Sequence, residues 1–232
     1  PTALPGGGIL GNPYSISTAN QWFAFINENS RWTNSSYVQL TANIDFAGVE
    51  LSPIGLSGKA YNGNFNGNSF TISNFVIDGT VDDDQMGLFG NVASTGSISN
   101  LILSSVTVRG DGEIGGLAGY SAGSIYRTAV RGTSLIENVS NASNLGALVG
   151  NMGKPGIVDE SLSTSGVTVR SPGGGYNLGG LVGNAVGTAT SVGNAVTIRN
   201  SYSHASVSSS GGAMSGILGY AGYATVSGNY FA

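Results

Sequence analysis

The residues that could do chemistry in this chain are few, and their spacing restricts them. One histidine, His204, and no cysteine occur in 232 residues. A Ser-His-Asp relay would have to pass through His204, which sits in Ser201-Tyr-Ser-His-Ala-Ser-Val207 and reads as a surface imidazole at a strand edge. Zinc sites draw on several His or Cys ligands, which the chain cannot supply. Carboxylates are the next resource, since glycosidases need two at a set separation. Only Asp82-Asp83-Asp84 form an acidic run. Hard oxygen ligands on one turn suit calcium, with Asp111 or Glu113 joining from a neighbouring segment, and a solvated turn accounts for the same residues. Calcium is therefore the one cofactor the sequence brings into play. Asp159 and Glu160 are chain neighbours, so on a strand they point to opposite faces and make a poor catalytic pair.

Two further sets of residues suggest binding, and a third suggests stacking. Arg109-Gly110-Asp111 is an integrin-type tripeptide at an expected corner. Tyr120 and Tyr220 share a register with Asn91, Asn151 and Asn184, and exposed tyrosines on a Ser/Asn surface can stack on sugars. Asn74, Asn100, Asn200 and Asn229 recur after β-branched phrases, a pattern expected of asparagines that hydrogen-bond along a stack.

An internal repeat must position these residues. Gly87-Leu88-Phe89-Gly90, Gly116-Leu117-Ala118-Gly119, Ala147-Leu148-Val149-Gly150, Gly180-Leu181-Val182-Gly183 and Gly216-Ile217-Leu218-Gly219 are copies of one motif, with leading aliphatics 29, 31, 33 and 36 residues apart. Each copy is followed by a phrase such as Ile98-Ser-Asn100 and then by one such as Val106-Thr-Val108. Three short apolar runs between Gly, Ser and Asn read as three strands and three turns per unit. One such turn of chain cannot bury its own apolar face, so successive turns must stack and place the five aliphatics in a column. The glycines beside them are expected to supply positive φ at a corner. Helical arrays of similar period fare badly, because each glycine in every unit costs its helix about 1 kcal/mol relative to alanine. The wider gap between Leu181 and Ile198 marks residues 186–196 as a protruding loop.

Composition agrees. Glycine supplies 39 residues, charged side chains only 9 % and hydrophobic ones 40 %, so a folded core must be covered by Ser, Thr, Asn and Gly. A net charge of −4 without a basic stripe argues against nucleic acid. No apolar run reaches the ~18 residues of a membrane span, and no signal peptide opens the chain, which is expected to be a mature or excised form. Ahead of the repeats, Thr18–Glu28 reads as an amphipathic helix with Ser17 or Thr18 as N-cap and a Trp22, Phe23, Phe25, Ile26 stripe. Its expected role, shared with Trp32, is to cover the first coil. Residues 1–36 thus form a leader with a capping helix, and 37–232 one continuous all-β solenoid.

The repeats, preceded by Ile44-Asp45-Phe46, Pro53-Ile54-Gly55 and Phe65-Asn-Gly-Asn-Ser-Phe-Thr-Ile72, resemble the GLUG-motif proteins over roughly residues 37–232. That family occurs in bacterial adhesin-like surface proteins and in the non-catalytic region of IgA-specific metallopeptidases. The resemblance implies an extracellular right-handed parallel β-helix, and it does not imply catalysis, because the peptidase zinc motif cannot be built around one histidine. The function expected is a structural or adhesive module on a bacterial surface, its partner a glycan or protein of a host or neighbouring cell. End-to-end self-association into fibres and a polysaccharide-binding or polysaccharide-degrading β-helix are the alternatives.

Overall fold

A computed structural model describes residues 3–33, 35–56, 58–79, 84–139, 144–187 and 195–232. Short apolar runs broken by Gly, Ser and Asn fold here into parallel rungs, each hydrogen-bonded to the turn of chain before and after it. Among the described residues there are five parallel sheets, of eight, seven, five, five and five strands. Sheet I runs from Tyr14–Ile16 to Ala224–Ser227, and sheet II from Ile44–Asp45 to Tyr230–Phe231. Sheet III runs from Val76–Asp78 to Ser206–Ser209, sheet IV from Gln85–Met86 to Ala213–Ser215, and sheet V from Phe89–Val92 to Leu218–Gly222. The architecture is a β-solenoid.

A complete coil carries five short strands where the sequence phrases suggest three. The motif itself is two of them: Glu113–Gly115 belongs to sheet IV and Ala118–Ser121 to sheet V, with Gly116-Leu117 as the corner between. The other addition is sheet II, whose rungs Ile102–Ser104, Ala129–Arg131 and Leu162–Ser163 are too short to show an alternation in sequence.

The aliphatic column forms as the period requires. Leu88, Leu117, Leu148 and Leu181 are fully or almost fully buried, and the backbone passes up the column from Leu117 to Leu148 (3.0 Å), Leu181 (2.9 Å) and Ile217 (3.1 Å). The glycines around it serve a different purpose from the one expected. None of those in the motif has positive φ. A Cβ on Gly146 would lie 2.2 Å from the Val149 carbonyl oxygen and 2.5 Å from that of Leu181, and one on Gly150 would lie 2.4 Å from the Ile114 nitrogen. The motif needs glycine because backbone packs directly on the backbone of the adjacent coil.

Positive φ recurs instead at the corner between sheets I and II, in Asn100, Arg127, Glu160, Asn200 and Gly228, and at the next corner, in Asn74, Ser105 and Gly132. Asn100 and Asn200 share the first of these columns. Asn74 stands one corner further on, level with Ser105, and Asn229 one residue beyond Gly228. The asparagine register read from sequence is therefore split. What the corner selects is the left-handed conformation, which Asn tolerates best after glycine. Its side chains bond acceptors on the previous coil: Asn100 Nδ2 donates to Asn66 Oδ1 (3.0 Å) and Asn200 Nδ2 to Asp159 Oδ1 (3.0 Å).

Helix α1, Ala19–Ile26, starts at Thr18, whose hydroxyl accepts from the Gln21 N–H (3.2 Å) while Gln21 Oε1 accepts from the Ser17 N–H (2.8 Å). It buries Trp22 and Phe25, and α2, Ser30–Thr33, buries Trp32. The Trp22 ring meets Phe46 and Phe65 edge to face at 6.1 and 6.0 Å, so the helix lies over the first coil's aromatic core. Strand Tyr14–Ile16, ahead of the helix, is already a rung of sheet I and pairs with Tyr37–Leu40. At the far end the last coil leaves Met214, Tyr223, Val226, Tyr230 and Phe231 exposed.

Candidate functional site

Strand alternation sorts sheet V into two columns. Val92, Ser121, Met152 and Ala185 point to the core, and the residues just before them, Asn91, Tyr120, Asn151 and Asn184, stand on the outer face in one register that Tyr220 continues. Across the Gly-Leu corner, sheet IV contributes a second outward column of Gln85, Glu113, Asn144, Asn177 and Ala213. Amides link the two columns. Asn91 Nδ2 donates to Gln85 Oε1 (3.0 Å), Gln85 Nε2 to Glu113 Oε2 (3.3 Å), and Asn151 Nδ2 to Glu113 Oε1. Asn177 Nδ2 donates to Asn144 Oδ1 (2.7 Å) and Asn184 Nδ2 to Asn151 Oδ1 (3.1 Å).

Glu113 sits at the centre of this network. Burial pushes its carboxyl above the ordinary range, against the pull of the Asn151 and Gln85 amides and with a small contribution from the Asp84 charge. Burial and then the Glu113 charge push the Tyr120 phenol up as well. A Cβ on Gly153 would lie 1.8 Å from the Tyr120 hydroxyl oxygen, so the tyrosine packs against that glycine.

Tyr120 and Tyr220 thus share a column, but Asn151 and Asn184 separate them. Three rungs at ~4.8 Å each put them about 14 Å apart, too far to grip one sugar ring together. Tyr220 has a different neighbour, Tyr176, which precedes sheet IV's Asn177 and is 69 % exposed. The two line one shallow cleft of about 400 Å³ with Asn144, Asn177, Asn184 and Val186. The repeat pattern hides Tyr176, which lies in the irregular segment between strands.

Arg109-Gly110-Asp111 spans the end of a sheet III strand and the bend after it. Arg109 Nε donates to Glu137 Oε2 at 2.9 Å and its Nη1 lies 3.9 Å from Asp78 Oδ2. Glu137 Oε1 accepts in turn from Arg170 Nε at 2.7 Å. The arginine is therefore one rung of a ladder of alternating charge, Asp78, Arg109, Glu137, Arg170, on consecutive coils. Gly110 packs on Met86, and Asp111 Oδ1 accepts from the Gly112 N–H (2.9 Å). Aligning the repeats strand by strand would have exposed this ladder in the sequence.

Asp82 and Asp83 lie outside the described residues, as do residues 188–194 of the expected 186–196 loop. Asp84 is described, and its carbonyl accepts from the Glu113 N–H (2.7 Å). Among the described residues no three His, Cys, Asp or Glu side chains gather where a metal ion could be held. His204 is exposed and rests edge-on against Tyr202, ring centroids 5.5 Å apart. On sheet I, Asp159 binds Arg199 (2.9 Å) and Glu160 binds Arg127 (2.6 Å), so the chain-adjacent acids serve two separate ion pairs. No described helix is long and apolar enough to cross a membrane.

No protein-family model matches the chain. It is 29 % identical over 162 residues to Halomucin of Haloquadratum walsbyi, covering 66 % of this chain and 2 % of that protein. It is 33 % identical over 131 residues to a provisionally named Gly-rich membrane protein of Evansella cellulosilytica, covering 54 % of this chain and 15 % of that protein. The chain therefore spans a small part of each relative's length. Among solved structures, a provisionally named immunoglobulin A1 protease from Bacteroides ovatus superposes with a TM-score of 0.58 over 98 % of this chain and 86 % of the other, at 16 % identity. That likeness is one of fold.

Proposed function

We propose that the chain is a non-catalytic structural and adhesive β-solenoid module of an extracellular surface protein of the GLUG-motif kind. One observation carries the reading: the residues that define the repeat point into the core or close a backbone corner, while the exterior carries amide and charge ladders. A scaffold whose period is devoted to stacking presents its variable outer columns to whatever lies outside. The resemblance to parts of Halomucin and of a Gly-rich membrane protein supports a surface setting. Catalysis would need a convergent acid–base pair, and Asp159, Glu160 and Glu137 are each spent on arginines.

The test is retention of beads bearing the purified chain on glycan-coated, protein-coated and bare surfaces under flow. Retention above that of beads bearing an unrelated solenoid supports adhesion, and retention equal to it removes the adhesive role. Release of reducing ends from polysaccharides, or of fragments from immunoglobulin A, would overturn the non-catalytic part. End-to-end filaments have the exposed apolar residues of the last coil in their favour and the helix lying over the first coil against them. Long fibres in electron micrographs of the purified chain would restore that reading.

A further inference from the structure

The two amide columns stop at the same step. Along sheet V, Asn184 donates to Asn151, and Asn151 donates to Glu113. Along sheet IV, Asn177 donates to Asn144. In each case the amide N–H is directed to an acceptor on the preceding coil, which leaves the last oxygen waiting for a donor from the coil above. That coil offers Ala213 opposite Asn177 and Tyr220 opposite Asn184, and neither residue carries an amide. Asn184 is more than nine-tenths buried, and its Oδ1 finds no hydrogen-bond donor among the described residues. A buried acceptor without a partner is costly, and a donor from outside the chain would relieve that cost.

The cleft over this step is where such a donor would arrive. Its walls are Tyr176 and Tyr220, 69 % and 53 % exposed, and its remaining lining is Asn144, Asn177, Asn184 and Val186. Among the described residues no charged side chain lines it. Tyrosine faces beside amide groups, with no ion pair to satisfy, match a neutral sugar: the C–H face of a pyranose packs on an aromatic ring, and its hydroxyls both donate and accept. We propose that this cleft is a binding subsite for a neutral glycan, which stacks on Tyr220 and Tyr176 and donates a hydroxyl hydrogen to Asn184 Oδ1, the Tyr220 ring turning aside to admit it. The proposal deepens the adhesive reading, and it shifts the sugar contact from the Tyr120–Tyr220 pair to Tyr176 and Tyr220.

The experiment is a titration of the isotopically labelled chain with neutral cello-, malto-, manno- and chito-oligosaccharides, and with acidic polygalacturonate oligosaccharides, followed by amide NMR. A neutral oligosaccharide is expected to shift the side-chain amide signals of Asn177 and Asn184. Tyr176→Ala and Tyr220→Ala should each weaken that binding about three- to tenfold, while Tyr120→Ala and Tyr230→Ala leave it unchanged. Thermal melts of every variant show that the fold survives. No shift with any neutral oligosaccharide, a preference for the acidic ones, or binding indifferent to Tyr176 and Tyr220 would each overturn the subsite. The two readings fail separately. Bead retention unaltered by Tyr176→Ala and Tyr220→Ala keeps adhesion and removes this cleft, whereas sugar binding without retention keeps the cleft and removes adhesion.

Discussion

Replacing Leu148 by alanine tests whether the stacked column holds the solenoid together. Leu148 is fully buried midway up the column, its N–H bonded to Leu181 and its carbonyl accepting from both Leu117 and Ala118. Leu→Ala in a core costs about 2–5 kcal/mol, and the amount depends on how far the cavity can collapse. Here collapse is opposed from both sides, because ladder bonds hold the coils ~4.8 Å apart. We therefore expect the upper part of that range, about 3–5 kcal/mol. For a chain of this size each kcal/mol lowers the melting temperature by roughly 2–4 °C, so Tm should fall by about 6–20 °C. Ile217, at the top of the column, is only half-buried and has a neighbour on one side. Ile217→Ala should cost about 1–2 kcal/mol by area removed from water. Circular dichroism melts and urea titrations of both variants supply the comparison. If Ile217→Ala costs as much as Leu148→Ala, or Leu148→Ala costs less than about 1 kcal/mol, the column is not what stabilises the stack.

Two titrations should run in opposite directions. Burial raises the Glu113 carboxyl, so its folded form holds the proton more tightly than the unfolded chain, and the stability it contributes at low pH is lost as pH climbs through the folded pKa. Glu113→Gln should match the parent near pH 3.5 and gain in relative Tm toward pH 7; a gap that shrinks toward neutrality contradicts the burial argument. Burial also works on Asp159, but bonds from Arg199 and Asn200 outweigh it and hold this carboxyl below its ordinary value. Asp159→Asn should therefore melt lower than the parent at pH 7 and converge with it as pH falls below the carboxylate range, and a penalty that persists in acid would point to packing instead. Gly146→Ala forces a methyl onto two carbonyl oxygens and should cost about 1–3 kcal/mol or prevent folding, while Gly211→Ala, with open space around it, should be neutral in the same melts.

The stacking was legible in the sequence because it rests on period alone. Any residue that must lie above its copy in the previous coil repeats with the coil, and Leu88, Leu117, Leu148 and Leu181 do so. Helix α1 was legible from its cap and its aromatic stripe for an equally local reason. The five-strand coil was not, since rungs of two or three residues such as Leu162–Ser163 cannot show an alternation. Glycine was read for the wrong property. Its need in the motif comes from a backbone of another coil, which no local pattern of residues reveals.

The site was half legible for a related reason. A column is visible in sequence as a register, so Tyr120 and Tyr220 could be aligned with Asn91, Asn151 and Asn184. Distance along the column is not visible until the coils are counted, and contact across a corner is not visible at all. Tyr176 reaches Tyr220's cleft from another strand and carries no repeat signature. The same logic separates structure from function in this fold. Where neighbouring rungs of a column complement one another, their groups are satisfied, as in the alternating Asp78, Arg109, Glu137 and Arg170. Where the complement is missing, as at Asn184 followed by Tyr220, a hydrogen-bonding group is left over. We therefore expect recognition in this solenoid at such a break, where the scaffold leaves an interaction for an outside molecule to complete.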